Sequence, residues 1–267
     1  MAGTVQHQGR AGRDQCDRGL TAAGWPNVKF TAEEIQSLAA EFEGREPREI
    51  LQWAADHFSP RIAISSAFGP EGLVMIDMAM RKVTPRLPVF TIDTGFFFKE
   101  TVELIRKIEQ EYGITIERLH PELTPEQQAE KYGVELYRRE PDQCCYMRKV
   151  LPLQKKLPEL DALVTGLRRS QGETRKGAKV LQLQETPDGH RYLKINPLAA
   201  WDKERVWWYV LTHQLHYNPL HDQGYPSIGC WPDCCTRAVK DGEGERAGRW
   251  AGSEKKECGL HTFAANI

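Results

Sequence analysis

No stretch of this 267-residue chain approaches the roughly 20 consecutive apolar residues that a membrane span requires. Residues Met1 to Gly24 are polar and glycine-rich and lack the apolar core of a secretory signal, so export is not expected and a cytoplasmic location is. Net charge is nearly absent: 36 basic against 37 acidic residues leave −1, and no overall basic field invites nucleic acid. No internal repeat is found, which argues against a solenoid or propeller. An even set of cysteines is also missing. Seven are present, and an odd number in a chain of this kind argues against a disulfide framework. What remains is an ordinary globular balance, 40% hydrophobic and 27% charged, over a length that suits one large α/β domain or two small ones.

Helix signals begin at Thr31, which has capping-box spacing to Glu34, with Phe30 and Ile35 placed as a hydrophobic staple; Gly44 should stop that helix. Pro47 opens a second helix, running to Phe58. Alternating units follow: strands at Arg61–Ser65, Leu87–Ile92, Ile114–Leu119 and Asp161–Thr165, with helices at Leu73–Met80 and Lys99–Tyr112 and a short one opened by a Thr124/Gln127 capping box. Val180–Leu183 and Tyr192–Ile195 read as a further strand pair, and Trp201–Leu215 as a helix. This order predicts an α/β fold with a largely parallel sheet flanked by helices, whose ligand lies beyond the carboxyl ends of the strands. Residues 1–28 are expected to be a disordered extension, 29–236 the α/β domain, and 237–267 a flexible tail rich in glycine and charge.

Three strand ends carry candidate binding residues. After the first strand comes Ser65-Ser-Ala-Phe-Gly-Pro-Glu-Gly72, where Ser65, Ser66, Gly69 and Glu71 would border an anion at a helix N-terminus; a plain βα turn has the same composition. After the second, Asp93 and Thr94 are placed to hydrogen-bond a base or ribose, or simply to close a turn. After the fourth come Gly166, Arg168 and Arg175, in a run whose guanidinium groups match sulfate or phosphate oxygens, although a solvated charge run looks alike. The cysteines give the strongest signal. Cys144-Cys145, followed by Arg148 and Lys149, and Cys230 with Cys234-Cys235 make a four-thiolate site for a [4Fe–4S] cluster or for zinc. Cys258 stands alone on the tail after Lys255 and Lys256, which favour a thiolate, and Arg246 and Arg249 lie upstream. His261 is read as incidental, and Cys16 has no assigned role.

Taken together, from about Ile50 onward, these motifs resemble the assimilatory sulfonucleotide reductases of the adenine-nucleotide α-hydrolase-like fold, most specifically in Lys-Glu-Cys258-Gly-Leu-His. The resemblance implies a catalytic Cys258, a [4Fe–4S] cluster on Cys144, Cys145, Cys230 and Cys235, and substrate contacts from Lys149, Arg168, Arg175, Arg246 and Arg249. It implies adenosine 5′-phosphosulfate as the substrate, with the 3′-phosphorylated nucleotide as alternative, and thioredoxin as the donor, since no redox domain follows Ile267. Family members are often homo-oligomers. The usual second cysteine group is Cys-x-x-Cys-Thr; here Cys230-Trp-Pro-Asp-Cys234-Cys235-Thr236 is longer, and the Thr-Arg register favours Cys235 over Cys234. An ATP-dependent adenylating or thiolating enzyme of the same fold is the less favoured alternative, because Ser65–Gly72 lacks the Ser-Gly-Gly-x-Asp-Ser pyrophosphate loop. A zinc-stabilised nucleic-acid module is disfavoured by the neutral charge and the long α/β body.

Overall fold

The computed structural model of the chain describes residues 30–240, 242–261 and 265–266. The extension expected over 1–28, with Cys16, lies outside the described residues, as do parts of the expected tail.

Both capping boxes form. The Thr31 hydroxyl accepts from the Glu34 amide at the start of α1 (Ala32–Phe42). α2 spans Pro47–Phe58, and Trp53 on it packs edge-on against Phe42. The first strand, β1 (Ile62–Ser65), feeds α3 (Pro70–Lys82), and β2 (Val89–Ile92) feeds α4 (Lys99–Tyr112). α4 runs between the expected bounds, because Leu104, Ile105 and Ile108 share one buried face and Gly113 ends it in the left-handed region. Only Glu117–Leu119 of the third expected strand pairs, as β3; ahead of it the Ile116 amide is taken by the Glu109 carboxylate at 3.0 Å.

The stretch from 120 to 160 departs most from the sequence reading. It folds into α5 (Pro125–Tyr132), α6 (Leu136–Arg139), α7 (Pro141–Cys145), a π turn at Tyr146–Val150 and α8 (Leu151–Lys156), of which only α5 is foreseen, from its capping box. The π turn has a local cause. Pro152 has no N–H for the Arg148 carbonyl four residues back and would crowd it, and a wider turn relieves both problems.

The chain then enters β4 (Ala162–Thr165), β5 (Leu181–Glu185), β6 (Arg191–Ile195), α9 (Lys203–Thr212) and a two-residue strand, β7 (Ala265–Asn266). The sheet order is β3-β2-β1-β4-β6-β5-β7; β3 to β6 along that order are parallel, β5 is antiparallel to β6, and β7 is antiparallel to β5. Side chains alternate between two cores. Ile62, Ile64, Ala162, Val164, Leu193 and Ile195 face the core that includes residues of α1 to α4 and α9, whereas Ala63, Leu163 and Tyr192 face Leu153 of α8 and Leu260. Buried Asp77 ties three helices together on the first side: it accepts from Tyr112 of α4 and Tyr209 of α9, each at 2.8 Å, and from Arg81 on its own α3 at 2.6 Å. β2 and β3 lie on one side of β1 and β4 on the other, so the strand order reverses at β1/β4, where open α/β sheets hold their ligands.

Candidate functional site

A cavity of about 230 Å³ opens at that reversal. Its floor is the β1–α3 turn. The Ser66 hydroxyl accepts from the Phe68 amide at 3.0 Å, Phe68 adopts a left-handed φ of 58°, and Gly69 caps α3 without a side-chain bond. Glu71 and Gly72 line the cavity, and their first-turn amides have no side-chain cap. Gly72 lies against Ser66, and Gly166 at the end of β4 packs against Glu71, so the turn and the neighbouring strand end meet through two missing side chains.

Ser65, Ser66, Gly69, Glu71, Thr94, Lys149, Gly166, Arg175, Arg246, Arg249 and Cys258 all line this cavity. Two of the sequence-predicted binding residues do not. Asp93 closes a turn instead, its Oδ1 accepting from the Gly95 amide at 3.0 Å. Arg168 is 1% exposed and outside the lining, with Nε on Glu71 at 2.8 Å and Nη2 on Glu245 at 2.9 Å. It neutralises two carboxylates of the wall rather than presenting its fork to a ligand.

The tail forms the roof. A bridge between Thr236 and Arg249, with the Arg237 amide on the Gly248 carbonyl at 3.0 Å, folds it back. Trp250 is then buried under three cations, the Arg249 guanidinium 4.6 Å, the Lys255 ammonium 5.5 Å and the Arg246 guanidinium 5.9 Å from its ring centre. Burial and the nearby Arg175 charge pull Arg246 down to about 10.

A second, smaller cavity is lined by Cys144, Cys145, Cys230 and Cys235 together with Arg148, Lys149 and Trp250. All four thiols are free. Cys234 does not line it; its sulfur lies 3.8 Å from that of Cys235. Among the described residues no three His, Cys, Asp or Glu side chains converge on a single metal-ion position; the cysteines ring a space instead. Burial pushes the Cys144 thiol up to about 11. Arg148 donates to the Thr94 carbonyl at 2.5 Å and to Gln128 at 2.9 Å, which fixes it between the cysteines and β2. Lys149 belongs to both cavities. Burial works against its ammonium, but the sulfurs of Cys230, Cys145 and Cys258 outweigh that cost and raise its pKa, so it stays charged.

Sequence reasoning overlooked His221 and Trp250 as cavity residues and read His261, which also lines the cavity, as incidental. The Nδ1 of His221 meets the Tyr225 carbonyl at 2.7 Å, leaving Nε2 buried and unpartnered among the described residues. His261 is likewise buried at an unpartnered Nδ1, and burial with Lys194, Arg175 and Arg246 close by holds it neutral. The only available signal was proximity to Cys258 for His261; His221 and Trp250 had none beyond residue type.

Chemically, one cavity is lined both by an uncapped helix turn and by a thiol with Lys149, Arg246 and Arg249. That suits an anion-bearing electrophile and a sulfur nucleophile. Among the described residues no helix is long and apolar enough to cross a membrane.

Residues 61–238 match the family model described as the phosphoadenosine phosphosulfate reductase domain. The chain is similar to the adenosine 5′-phosphosulfate reductase of Halalkalibacterium halodurans, 43% identical over 230 residues that cover 85% of this chain and 96% of that protein. It is also similar to adenosine 5′-phosphosulfate reductase 1 of Bacillus subtilis, 44% identical over 213 residues, 79% of this chain and 89% of that one. A solved structure, the phosphate complex of phosphoadenylyl-sulfate reductase from Candida auris, superposes with a TM-score of 0.67 at 33% identity, covering 77% of this chain and 98% of that one. The FMN adenylyltransferase of Candida glabrata shares the fold alone, at a TM-score of 0.50 and 18% identity over 85% of this chain and 78% of that one. Site geometry and relatives agree: the chain belongs to the phosphoadenosine phosphosulfate reductase family.

Proposed function

We propose that this chain is an oxidoreductase of sulfate assimilation that reduces adenosine 5′-phosphosulfate to sulfite and AMP through an S-sulfocysteine on Cys258, with thioredoxin as the dithiol reductant. The observation that carries the reading is that Cys258 lines the same cavity as Lys149, Arg246, Arg249 and the uncapped turn of α3. The relatives named for this reaction supply the substrate.

The chemistry balances in three displacements. The Cys258 thiolate attacks the sulfo sulfur, the S–O bond to the phosphate breaks, and AMP leaves with that electron pair, giving Cys–S–SO₃⁻. A thioredoxin thiolate then attacks the Cys258 sulfur, sulfite departs with the S–S electron pair, and a second thioredoxin cysteine resolves the mixed disulfide. Lys149, Arg246 and Arg249 offset the repulsion between thiolate and anionic substrate. Arg168 keeps Glu71 and Glu245 from adding to that repulsion. The tail closes for the first step and exposes Cys258 for the second.

Cys144, Cys145, Cys230 and Cys235 would hold a [4Fe–4S] cluster; four free thiols line one cavity with Arg148 and Lys149 beside them, a donor set of the kind such a centre takes. When bound, it would supply a fixed charge field beside Lys149 rather than the reducing electrons, which thioredoxin brings. Cys235→Ser should lose iron and acid-labile sulfide and Cys234→Ser should keep both; stoichiometric zinc alone would refute the cluster.

The direct test of the reaction is anaerobic sulfite release from each sulfonucleotide, with or without the 3′-phosphate, using reduced thioredoxin. Cys258→Ser should abolish release while AMP still binds. A donor labelled in its sulfo sulfur should leave label on the wild-type tail. Turnover by Cys258→Ser would remove Cys258 from the nucleophile role, and faster turnover of the 3′-phosphorylated nucleotide would reassign the substrate.

A further inference from the structure

Glu257 immediately precedes Cys258, and the reaction just described gives its side chain no task. Yet its carboxylate is engaged on both oxygens. Oε1 accepts from Arg175 Nε at 2.8 Å and from the Thr174 hydroxyl at 2.9 Å. Oε2 accepts from Arg175 Nη2 at 2.8 Å and from Arg246 Nη2 at 3.2 Å. The side chains of Arg175 and Glu257 are only 10% and 11% exposed, so water screens the pair weakly. Arg175 Nη1 donates to Gln171 at 2.6 Å, and Arg246 Nη2 also reaches the Lys256 carbonyl at 3.2 Å. Burial alone would raise the Glu257 carboxyl, but the bonds from Arg175 outweigh it and hold it below the usual carboxylate range.

The geometry restricts what Arg175 can do. Its Nε–Nη2 edge is the one suited to fork onto two oxygens of an anion, and with the tail in this position that edge grips the chain's own carboxylate. Arg246 is shared between this carboxylate and the cavity. Gly259, on the other side of Cys258, lies against Val150 at the end of the π turn. The thiol is thus flanked by a charged clasp and a close backbone approach.

We propose that Glu257 is a positioning residue: Arg175 and Arg246 clasp its carboxylate, and this sets the Cys258 thiol on the cavity wall. The assignment rests on Cys258 being the nucleophile. A glutamine in its place keeps the size but has one oxygen, and its amide would set donor against donor at the Arg175 fork. An aspartate keeps charge and both oxygens but is one methylene short.

The test uses the full chain, iron-replete, in three variants: Glu257→Gln, Glu257→Asp and Arg175→Lys, the last keeping charge but losing the fork. Two quantities are read. One is single-turnover transfer of labelled sulfo group to Cys258 across substrate concentrations. The other is alkylation of Cys258 by iodoacetamide without nucleotide, followed by peptide mass spectrometry up to a pH where the rate is constant. Glu257→Gln should slow saturated transfer at least tenfold, change half-saturation less than threefold, and raise the alkylation plateau several-fold. Glu257→Asp should recover part of each, and Arg175→Lys should behave like the glutamine variant. The proposal is overturned if Glu257→Gln transfers at the wild-type rate, if only half-saturation rises, or if alkylation changes in its midpoint pH with no change of plateau. That last outcome would mean that the carboxylate merely tunes the thiol's charge. Cys258→Ser, run alongside, separates the two failures: its retained turnover sinks the nucleophile, whereas a dead Cys258→Ser with an unaffected Glu257→Gln sinks only the clasp.

Discussion

Replacing Gly166 by alanine is a sharp probe of the β1–α3 turn, because a single methyl group acts there through a defined contact. The added Cβ would lie 2.9 Å from Glu71 Cβ, 3.2 Å from Met75 Cε and 3.4 Å from the Gly72 amide nitrogen. The methionine tip can swing aside; the Glu71 Cβ is fixed to the backbone of the first turn of α3. Carbon atoms rest at about 3.5–4.0 Å, so that turn must retreat by roughly 0.6 Å. Overpacking of this kind costs about 1–3 kcal/mol, offset by about 0.4–1 kcal/mol from a stiffer unfolded chain. Stability should therefore fall only slightly. Nucleotide binding should suffer more, because the retreat lengthens bonds from first-turn amides to the ligand. One lost bond to a charged group is worth about 1.5–3 kcal/mol, or roughly 10- to 100-fold in Kd. Calorimetric titration with AMP measures this, and Gly177→Ala is the control, since nothing lies within 4 Å of its added methyl. If Gly166→Ala binds AMP within twofold of wild type at near wild-type stability, the turn does not hold the nucleotide.

Asp77→Ala would strand two buried tyrosine hydroxyls and release an arginine, at about 1–3 kcal/mol per stranded group; a Tm lowered by roughly 10 °C is expected in calorimetry, with the fold's far-ultraviolet signature kept. Lys149→Met should slow sulfo transfer to Cys258 by about 10²–10³-fold, the scale for losing one preorganised charge, while AMP affinity changes little; rapid-quench labelling reads both. Lys194 is 4% exposed, and burial, with Arg175 close by, pulls its pKa down to about 8. Its folded value lies below its unfolded one, so the unfolded chain binds the extra proton and stability should rise from pH 8 to about pH 10.5, with the cost of the buried charge fully present below pH 8. Lys194→Met should remove that rise and stabilise the protein at pH 7 by about 3 kcal/mol, as urea melts at pH 7 and pH 10 would show.

What the sequence discloses tracks how local the cause is. The Thr31/Glu34 and Thr124/Gln127 boxes involve neighbours three residues apart, and both form as written. The α4 bounds follow from a face of apolar residues and a terminal glycine. That the sheet is largely parallel is legible, because strands alternate with helices; the order of its strands is not, because it depends on contacts distant in the chain. The helices around Cys144 are not legible: α6 and α7 are each shorter than two turns, too short to show a period, and the π turn depends on a proline six residues after Tyr146. Cys235 rather than Cys234 facing the cysteine cavity agrees with the register of Thr236 and Arg237. Arg168 is the instructive case. A guanidinium at a strand end looks like an anion binder, but Glu245, 77 residues along the chain, meets it there. Such a partner leaves no trace in the local pattern.

The pairing of β7 with β5 changes how the roof segment can move. Ala265 lies opposite Glu185 and Asn266 opposite Gln184, while the Thr236–Arg249 bridge fastens the other side. Cys258 therefore rides on a hoop held at both ends rather than on a free whip. A hoop bows outward to meet a large partner without losing its place, and its ends bring the sulfur back to the same spot. The entropy of recapture is small compared with that of a single-anchored strand. Anchored on both sides, Cys258 stays close to the cavity it lines, and the reductant of the proposed reaction would have to meet it there.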